Sequence, residues 1–341
     1  MKVSNNFRLR LTTFGERYTL GNMFDGSLGF IDTVNINKIL QEDYSISLVI
    51  LYEAIKQGRQ IQDSLAKVIN KNIEYASKVN VYLITDWLRH TLSLGKPIHD
   101  VFMQCSSLIG KIFPDIKPCI GFDVHSSHHE HTVYEHMLYV VDGCETNKFE
   151  VKLAALFHDI GKPNVFTMVG NRGSTSGHPR ESAEIAKTAF DFYIRLSKEE
   201  IDYITELILI HDKFIAPTDR SIRKALNQYG LAFMDDYCVL KKSDMLDHIN
   251  IEGIWKNYDI DKFREKLHEL YAKNKEFSIK DLDITGEDIL FEFGIEPGKI
   301  VGVILNELLN DVLSGRVKNN WDDLINRACS IYDRENSIRR D

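Results

Sequence analysis

The 341-residue sequence is 43% hydrophobic and 27% charged, the balance of an ordinary soluble globular chain long enough for one large domain or two to three smaller ones. A net charge of −8 argues against a protein that coats nucleic acid nonspecifically, while leaving room for a local basic patch or for an anionic substrate neutralised by a metal. The five cysteines are scattered and include no C-x-x-C pair, which argues against a disulfide framework or a zinc knuckle and fits a reducing cytoplasm.

The opening stretch has no apolar core of signal-peptide length, and no run approaches the ~18 apolar residues of a membrane span, so the expected location is cytoplasmic with no membrane partner. Residues 1–45 place Arg8, Arg10 and Arg17 ahead of Gly21, Gly26 and Gly29 without a sustained period. From Ile46 the apolar spacing is helical, as in Leu48, Leu51 and Ile55, then Ile61, Leu65 and Ile69. Lys96-Pro97 and Phe113-Pro114 mark turns, and Pro114 to Ser127 reads as an irregular connection. A helix over Val133–Val141 puts Val133, His136, Met137 and Val140 on one stripe.

A second central helix, Lys148–Ile160, places Val151, Ala155 and His158 at i, i+4 and i+7, so His158 continues the face turned to the core. Pro163–Pro179 is rich in Gly, Ser, Thr and Asn and reads as a loop. Ser197-Lys198-Glu199-Glu200 is a capping-box signature that starts a helix running to about His211. In a helix over Leu231–His248, Phe233, Tyr237, Leu240 and Asp244 share a face, which puts a carboxylate on an apolar stripe. From about Asp261 the chain is again helical and more charged, with Pro297 and Gly298 turning into a helix that opens near Lys299. The fold class is therefore all-α. It divides into a mostly helical N-terminal region over 1–120, a central domain over 121–255 and a helical tail over 256–341.

The adjacent His158 and Asp159 are costly to bury unless something receives them, either a metal ion or a hydrogen-bonded core network. His136 and Asp244 face inward from other helices, and imidazole with carboxylate suits Zn, Mn, Fe, Co or, with more oxygen, Mg. Two further histidines, His178 and His211, stand ready for a second ion or a substrate phosphate. One histidine alone is more often a hydrogen-bonded core or surface residue; a constellation of several points to a metal. Lys162, just after the pair, reads by itself as a helix-end lysine facing solvent. Arg172 and Arg180 flank the polar loop and are candidates for substrate binding. The run His125, His128, His129 and His131 reads mostly as a solvated loop.

The order His136, His158-Asp159, His178, His211, Asp244 resembles that of the HD-domain metal-dependent phosphohydrolases. Phe113-Pro114-Asp115, His129 through His136, Gly177-His178 with Ser182-Ala183, and the passage from Gly294 to Gly315 are similar to the body of the bacterial class II tRNA nucleotidyltransferases, the CCA-adding enzymes. The similarity runs from about Trp87 to Cys329. It implies an HD domain over 121–255 and an enzyme that hydrolyses a phosphate ester, as a phosphatase or a 2',3'-cyclic phosphodiesterase, on a nucleotide or an RNA end.

The resemblance further implies one or two divalent ions (Mn, Mg, Ni, Co, Fe or Zn), with His136, His158, Asp159 and Asp244 as ligands of one ion. Asp159 would bridge to a second ion if His178 and His211 hold it. The catalytic group would be Asp159, Lys162, His178 and His211, with His129 as a substrate or second-metal contact. Those nucleotidyltransferases also carry a Gly-Gly or Gly-Ser element followed by an Asp-x-Asp pair, which does not precede the HD region here. Asp235-Asp236 comes too late to serve, so nucleotidyl transfer by this polypeptide alone is not expected. The alternative is a tRNA-binding body module, in which Lys299 and Arg316 are either RNA backbone contacts or surface charge. Oligomeric state is not legible.

Overall fold

The structure, a computed structural model, describes residues 33–125, 131–246, 258–275, 278–314 and 316–338. The first helices are α1 Thr33–Glu42, α2 Ile46–Gln57, α3 Asp63–Lys71, α4 Val81–Leu92, α5 His99–Gln104 and α6 Ser106–Ile112. The central ones are α7 Val133–Gly143, α8 Phe149–Phe157, α9 Lys162–Val165, α10 His178–Tyr193, α11 Lys198–Ile210, α12 Asp219–Tyr229 and α13 Leu231–Leu246. The last are α14 Ile260–Lys275, α15 Gly286–Phe293, α16 Lys299–Leu313 and α17 Trp321–Ile338. The fold is all-α as the sequence predicts, apart from one antiparallel pair, β1 Thr167–Val169 with β2 Arg172–Ser174.

That hairpin corrects the loop expected over Pro163–Pro179. Thr167 pairs with Ser174 and Val169 with Arg172, leaving Gly170-Asn171 as a two-residue connection with Gly170 at φ +63°. Gly173 lets this ribbon lie against the preceding chain: a Cβ there would stand 1.9 Å from the Val124 carbonyl oxygen, and its N–H donates to His125 O at 3.2 Å. The connection after Pro114 is likewise partly ordered, as a 3₁₀ turn over Pro114–Cys119.

Internal contacts group the chain into two units, Met1–Asp212 with Val239–Lys256, and Lys213–Cys238 with Asn257–Asp341. In the first unit the helices before residue 120 share one core with the central ones. Trp87 is fully buried and stacks on Phe102 at 5.9 Å, and the Tyr134 hydroxyl donates to the Phe102 carbonyl at 3.2 Å. The Asp142 carboxylate accepts from the backbone N–H groups of Ile98 and His99 at 2.7 and 3.1 Å, which caps the start of α5. Arg89 spans from the face of Phe149, 4.2 Å away, to Glu200 at 2.7 Å. No boundary at residue 120 separates these contacts, because the apolar faces on its two sides bury each other.

Helix α8 is buried all round, including Lys152, whose ammonium donates to the Val141 carbonyl. Phe157 at its end meets Phe113 and Phe190 edge-on, with centroids 6.1 and 5.1 Å away. In the second unit α15, α16 and α17 bury Ile289, Ile304, Leu308, Leu324 and Ile331 in a core of their own. Asp311, buried there, binds Arg316 at 2.7 Å and Arg327 at 2.6 Å.

Two capping boxes set the helices that matter most below. Ser197 and Glu200 start α11, as the sequence predicts, and Thr132 and Glu135 start α7 in the same reciprocal way. Thr132→Ala should cost about 1 kcal/mol of stability, read as a lowered urea midpoint with an unchanged slope.

Candidate metal centre

The site is assembled from helix ends. His158 caps the C-terminus of α8 and His211 that of α11, both with helical backbone angles, while His178 opens α10 after Gly177 at φ +86°. The predicted helix to Ile160 stops at Phe157, where Gly161 and Pro163 turn the chain so that His158 and Asp159 both point inward. Gly161 also admits α10: a Cβ there would stand 2.6 Å from the Ser182 nitrogen and 2.8 Å from Glu181 Cβ. Its own N–H donates to the Ser182 hydroxyl at 3.0 Å. His136 lies on the inner face of α7 and Asp244 on α13. These two helices are clamped by Gly143, which leaves room for Ser243, and by the Ser243 hydroxyl donating to Val140 O at 2.8 Å.

Three of the histidines are fixed in the same way. The Nδ1–H groups of His158, His178 and His211 face the carbonyls of Ala155, Thr175 and Ile208 at 2.8, 3.0 and 2.7 Å. A carbonyl only accepts, so in each neutral ring the proton sits on Nδ1 and Nε2 presents a bare lone pair.

Those lone pairs converge on Asp159. One carboxylate oxygen lies 3.2 Å from His158 Nε2 and 3.4 Å from His136 Nε2; the other lies 3.1 Å from His178 Nε2 and 3.7 Å from His211 Nε2. Asp244 completes the first group, with Oδ1 3.2 Å from His136 Nε2 and 3.8 Å from His158 Nε2. Within each group two imidazole nitrogens stand 3.2 Å apart, His136 against His158 and His178 against His211.

Both oxygens of Asp159 are buried without a hydrogen-bond partner, although Lys162 Nζ approaches one of them at 2.5 Å as an ion pair. Buried acceptors facing bare nitrogens repel one another unless a cation lies among them. The residues therefore fit divalent metal in two triads, His136/His158/Asp159 and Asp159/His178/His211, joined through the one carboxylate.

Electrostatics agree with that reading. Burial pushes the Asp159 carboxyl up, but the neighbouring His158 and Lys162 outweigh it and hold the group well below the usual carboxylate range. Burial, reinforced by the neighbouring His158 and His178, drives His211 well below its ordinary value and keeps it a neutral ligand. Lys241, buried on α13, meets Asp244 Oδ2 at 3.0 Å and Asp212 Oδ1 at 3.2 Å. Burial works against its charge, yet the two carboxylates raise it above the usual lysine value. Neither Lys241 nor Asp212 is singled out by the sequence, although their offsets from Asp244 and His211 were available as a signal.

Residues 126–233 match the HD domain family. The chain carries an HD domain. Residues 194–328 match a second family, tRNA nucleotidyltransferase domain 2. A CC-adding tRNA nucleotidyltransferase of Thermus thermophilus is 29% identical over 222 residues, covering 62% of this chain and 47% of that protein. A CCA-adding enzyme of Ligilactobacillus salivarius is 27% identical over 157 residues, covering 42% and 38%. The chain thus spans less than half the length of these curated relatives. In three dimensions it resembles the Bacillus stearothermophilus CCA-adding enzyme solved in complex with CTP, with a TM-score of 0.54 and 14% identity over 89% of this chain and 65% of that one.

The structure brings together His136, His158, Asp159, Lys162, His178, His211 and Asp244, the last of these beyond the residues matched to the HD domain. Arg172 is exposed on β2, and the Arg180 side chain is 83% exposed, 3.7 Å from Glu184. His129 lies outside the described residues, as does His128. Of the flanking histidines, His125 is exposed and its N–H donates to Asp123 at 2.7 Å, while the His131 ring lies 4.5 Å from Tyr139. Among the described residues no helix is long and apolar enough to cross a membrane.

The depressed His211 gives the metal-free protein a pH dependence with a definite sign. Below about 6.5 the unfolded chain protonates this imidazole while the folded one does not, so unfolding takes up a proton. That contribution to stability is complete above about 6.5 and declines as pH falls from there toward the lower folded value. In EDTA the wild-type urea midpoint should fall between pH 7.5 and pH 5.5, and His211→Gln should show a shallower fall over the same range.

Proposed function

We propose that the HD centre hydrolyses a phosphate ester, carried by a nucleotide or by an RNA end, in the cytoplasm. The observation that supports this reading is the Asp159 carboxylate, buried beside Lys162 among inward-facing imidazole nitrogens from four different segments. In it, His136, His158, Asp159 and Asp244 hold one divalent ion, and Asp159, His178 and His211 hold a second. Such ions supply Lewis acidity, polarising water and offsetting the charge that grows on phosphoryl oxygens.

The chain's own residues supply the rest. The backbone carbonyls behind His158, His178 and His211 keep each ring in one tautomer and one orientation. Lys162, almost wholly buried beside Asp159, carries the ammonium that faces a nonbridging phosphate oxygen. Arg172, Arg180 and His129 are the proposed outer contacts for the substrate. The chemistry falls within the 121–255 region assigned from sequence.

A second reading is favoured by the match of residues 194–328 to tRNA nucleotidyltransferase domain 2: an RNA-binding body in which the ions are structural. Assays with Mn, Ni, Co and Mg separate the two. Phosphate release or cyclic-nucleotide cleavage supports the hydrolase, whereas tight tRNA retention on filters without turnover supports the binding module. Asp159→Ala should lose its metal by elemental analysis. Its turnover should drop by more than the roughly 10–100-fold typical of outer-shell substitutions. Full turnover in a variant that holds no metal would overturn the assignment.

A further inference from the structure

The second unit contains a concave site that the HD chemistry does not use. A cavity of about 400 Å³ is lined by Arg220, Ser221, Lys224, Ser314 and Arg316, with no carboxylate in its wall. A second cavity of about 260 Å³ shares Ser221 and Lys224 with it and is otherwise walled mainly by Phe214, Ile215, Ala216, Ala225 and Tyr229. The two adjoin through those shared residues, one half cationic and the other apolar and aromatic.

The cations differ in how they are paired. Arg220 and Lys224 sit one turn apart on α12, and among the described residues neither has a carboxylate partner. Arg316 pairs with the buried Asp311, which also binds Arg327, and Arg327 pairs in turn with Glu307; half of the Arg316 side chain remains exposed. The hydroxyls are positioned as well. Ser221 accepts from the Thr218 hydroxyl at 3.0 Å, which leaves its own proton for another acceptor, whereas Ser314, buried at the cavity wall, already donates to the Asp311 carbonyl at 3.1 Å. Beside the apolar half, Lys213 lies 5.6 Å from the Tyr229 ring centroid. Three cations and the Ser221 hydroxyl lining one cavity match a phosphate group, and an apolar slot that shares part of the same wall matches a flat ring carried by that phosphate.

We propose that these joined cavities bind a nucleotide, the phosphate against Arg220, Lys224 and Arg316 and the base in the slot between Phe214 and Tyr229. The ligand is either a free nucleotide or one unit of an RNA strand, since both present the same phosphate and ring. This site stands apart from the HD reading, so the failure of one leaves the other untouched.

The test uses the full chain in the Asp159→Ala background with EDTA, which silences the HD centre. Calorimetric titrations with CMP, AMP, cytidine and inorganic phosphate are paired with anisotropy of a labelled single-stranded RNA hexamer. A nucleotide or the hexamer should bind more tightly than phosphate or nucleoside alone, and competition by CMP or AMP for the hexamer assigns the free nucleotide. Binding of the hexamer without such competition assigns the strand. Arg220→Gln/Lys224→Gln should weaken binding about tenfold or more, the scale of one lost charge-assisted hydrogen bond. The slope of log affinity against log salt should shrink by about 1 or more. Both residues are exposed, so the thermal midpoint should hold. No saturable binding, equal affinity in the double variant, or phosphate binding as tightly as the nucleotide would overturn the proposal.

Discussion

Burying one carboxylate among imidazoles is the constraint on which the first unit depends. Asp159 is sealed from water with Lys162 as its ion-pair partner, and three of the rings around it have given their only proton to backbone carbonyls. Such an arrangement is electrostatically unfavourable by itself and becomes favourable around positive charge. These groups are delivered by the buried α8, the boxed starts of α7 and α11, and the close approach at Gly161 that seats α10. Two of the histidines follow the last turn of their helices. Their Nδ1 atoms therefore meet the carbonyl three residues earlier, one of the acceptors that a helix end leaves open.

Much of this centre was legible because helical periodicity exposes polar residues that interrupt an apolar stripe. His136 and His158 each fall on such a stripe, and so does Asp244 beside Leu240. What stayed hidden depends on contacts distant in sequence. A lysine is ordinarily solvated, so the burial of Lys241 follows only once Asp212 and Asp244 are known to meet around it. The hairpin after α9 had a readable turn in Gly170-Asn171, but its strands are three residues each and show no alternation of apolar and polar positions. The division at residue 120 rested on a change from regular spacing to an irregular linker. The buried Trp87, Phe102 and Tyr134 carry the core straight across it.

The likeness to CCA-adding enzymes bears on the chain unevenly. The HD match over 126–233 and the second match over 194–328 overlap on α11 and α12, so the two family patterns are interleaved along the chain. Contacts group the molecule in a similarly interleaved way, with residues 213–238 joining the later helices while Asp244 stays with the histidines. A cut between the HD part and the remainder therefore has no natural place in the sequence. The cationic wall formed by Arg220, Lys224 and Arg316 illustrates the same point, since it joins α12 to the turn after α16, about ninety residues later.

The Lys241 ammonium has a consequence for how this centre can change over time. Asp244 is at once a donor to the histidine cluster through one oxygen and the counter-ion of a buried lysine through the other. Replacing it takes a counter-ion from that buried ammonium, and breaking a buried ion pair by removing one partner costs about 3–5 kcal/mol. Loss of function at position 244 thus mixes lost ligation with lost folding, and the two separate only when Lys241 is exchanged alongside it. A substitution at position 244 is also a substitution in the surroundings of Lys241.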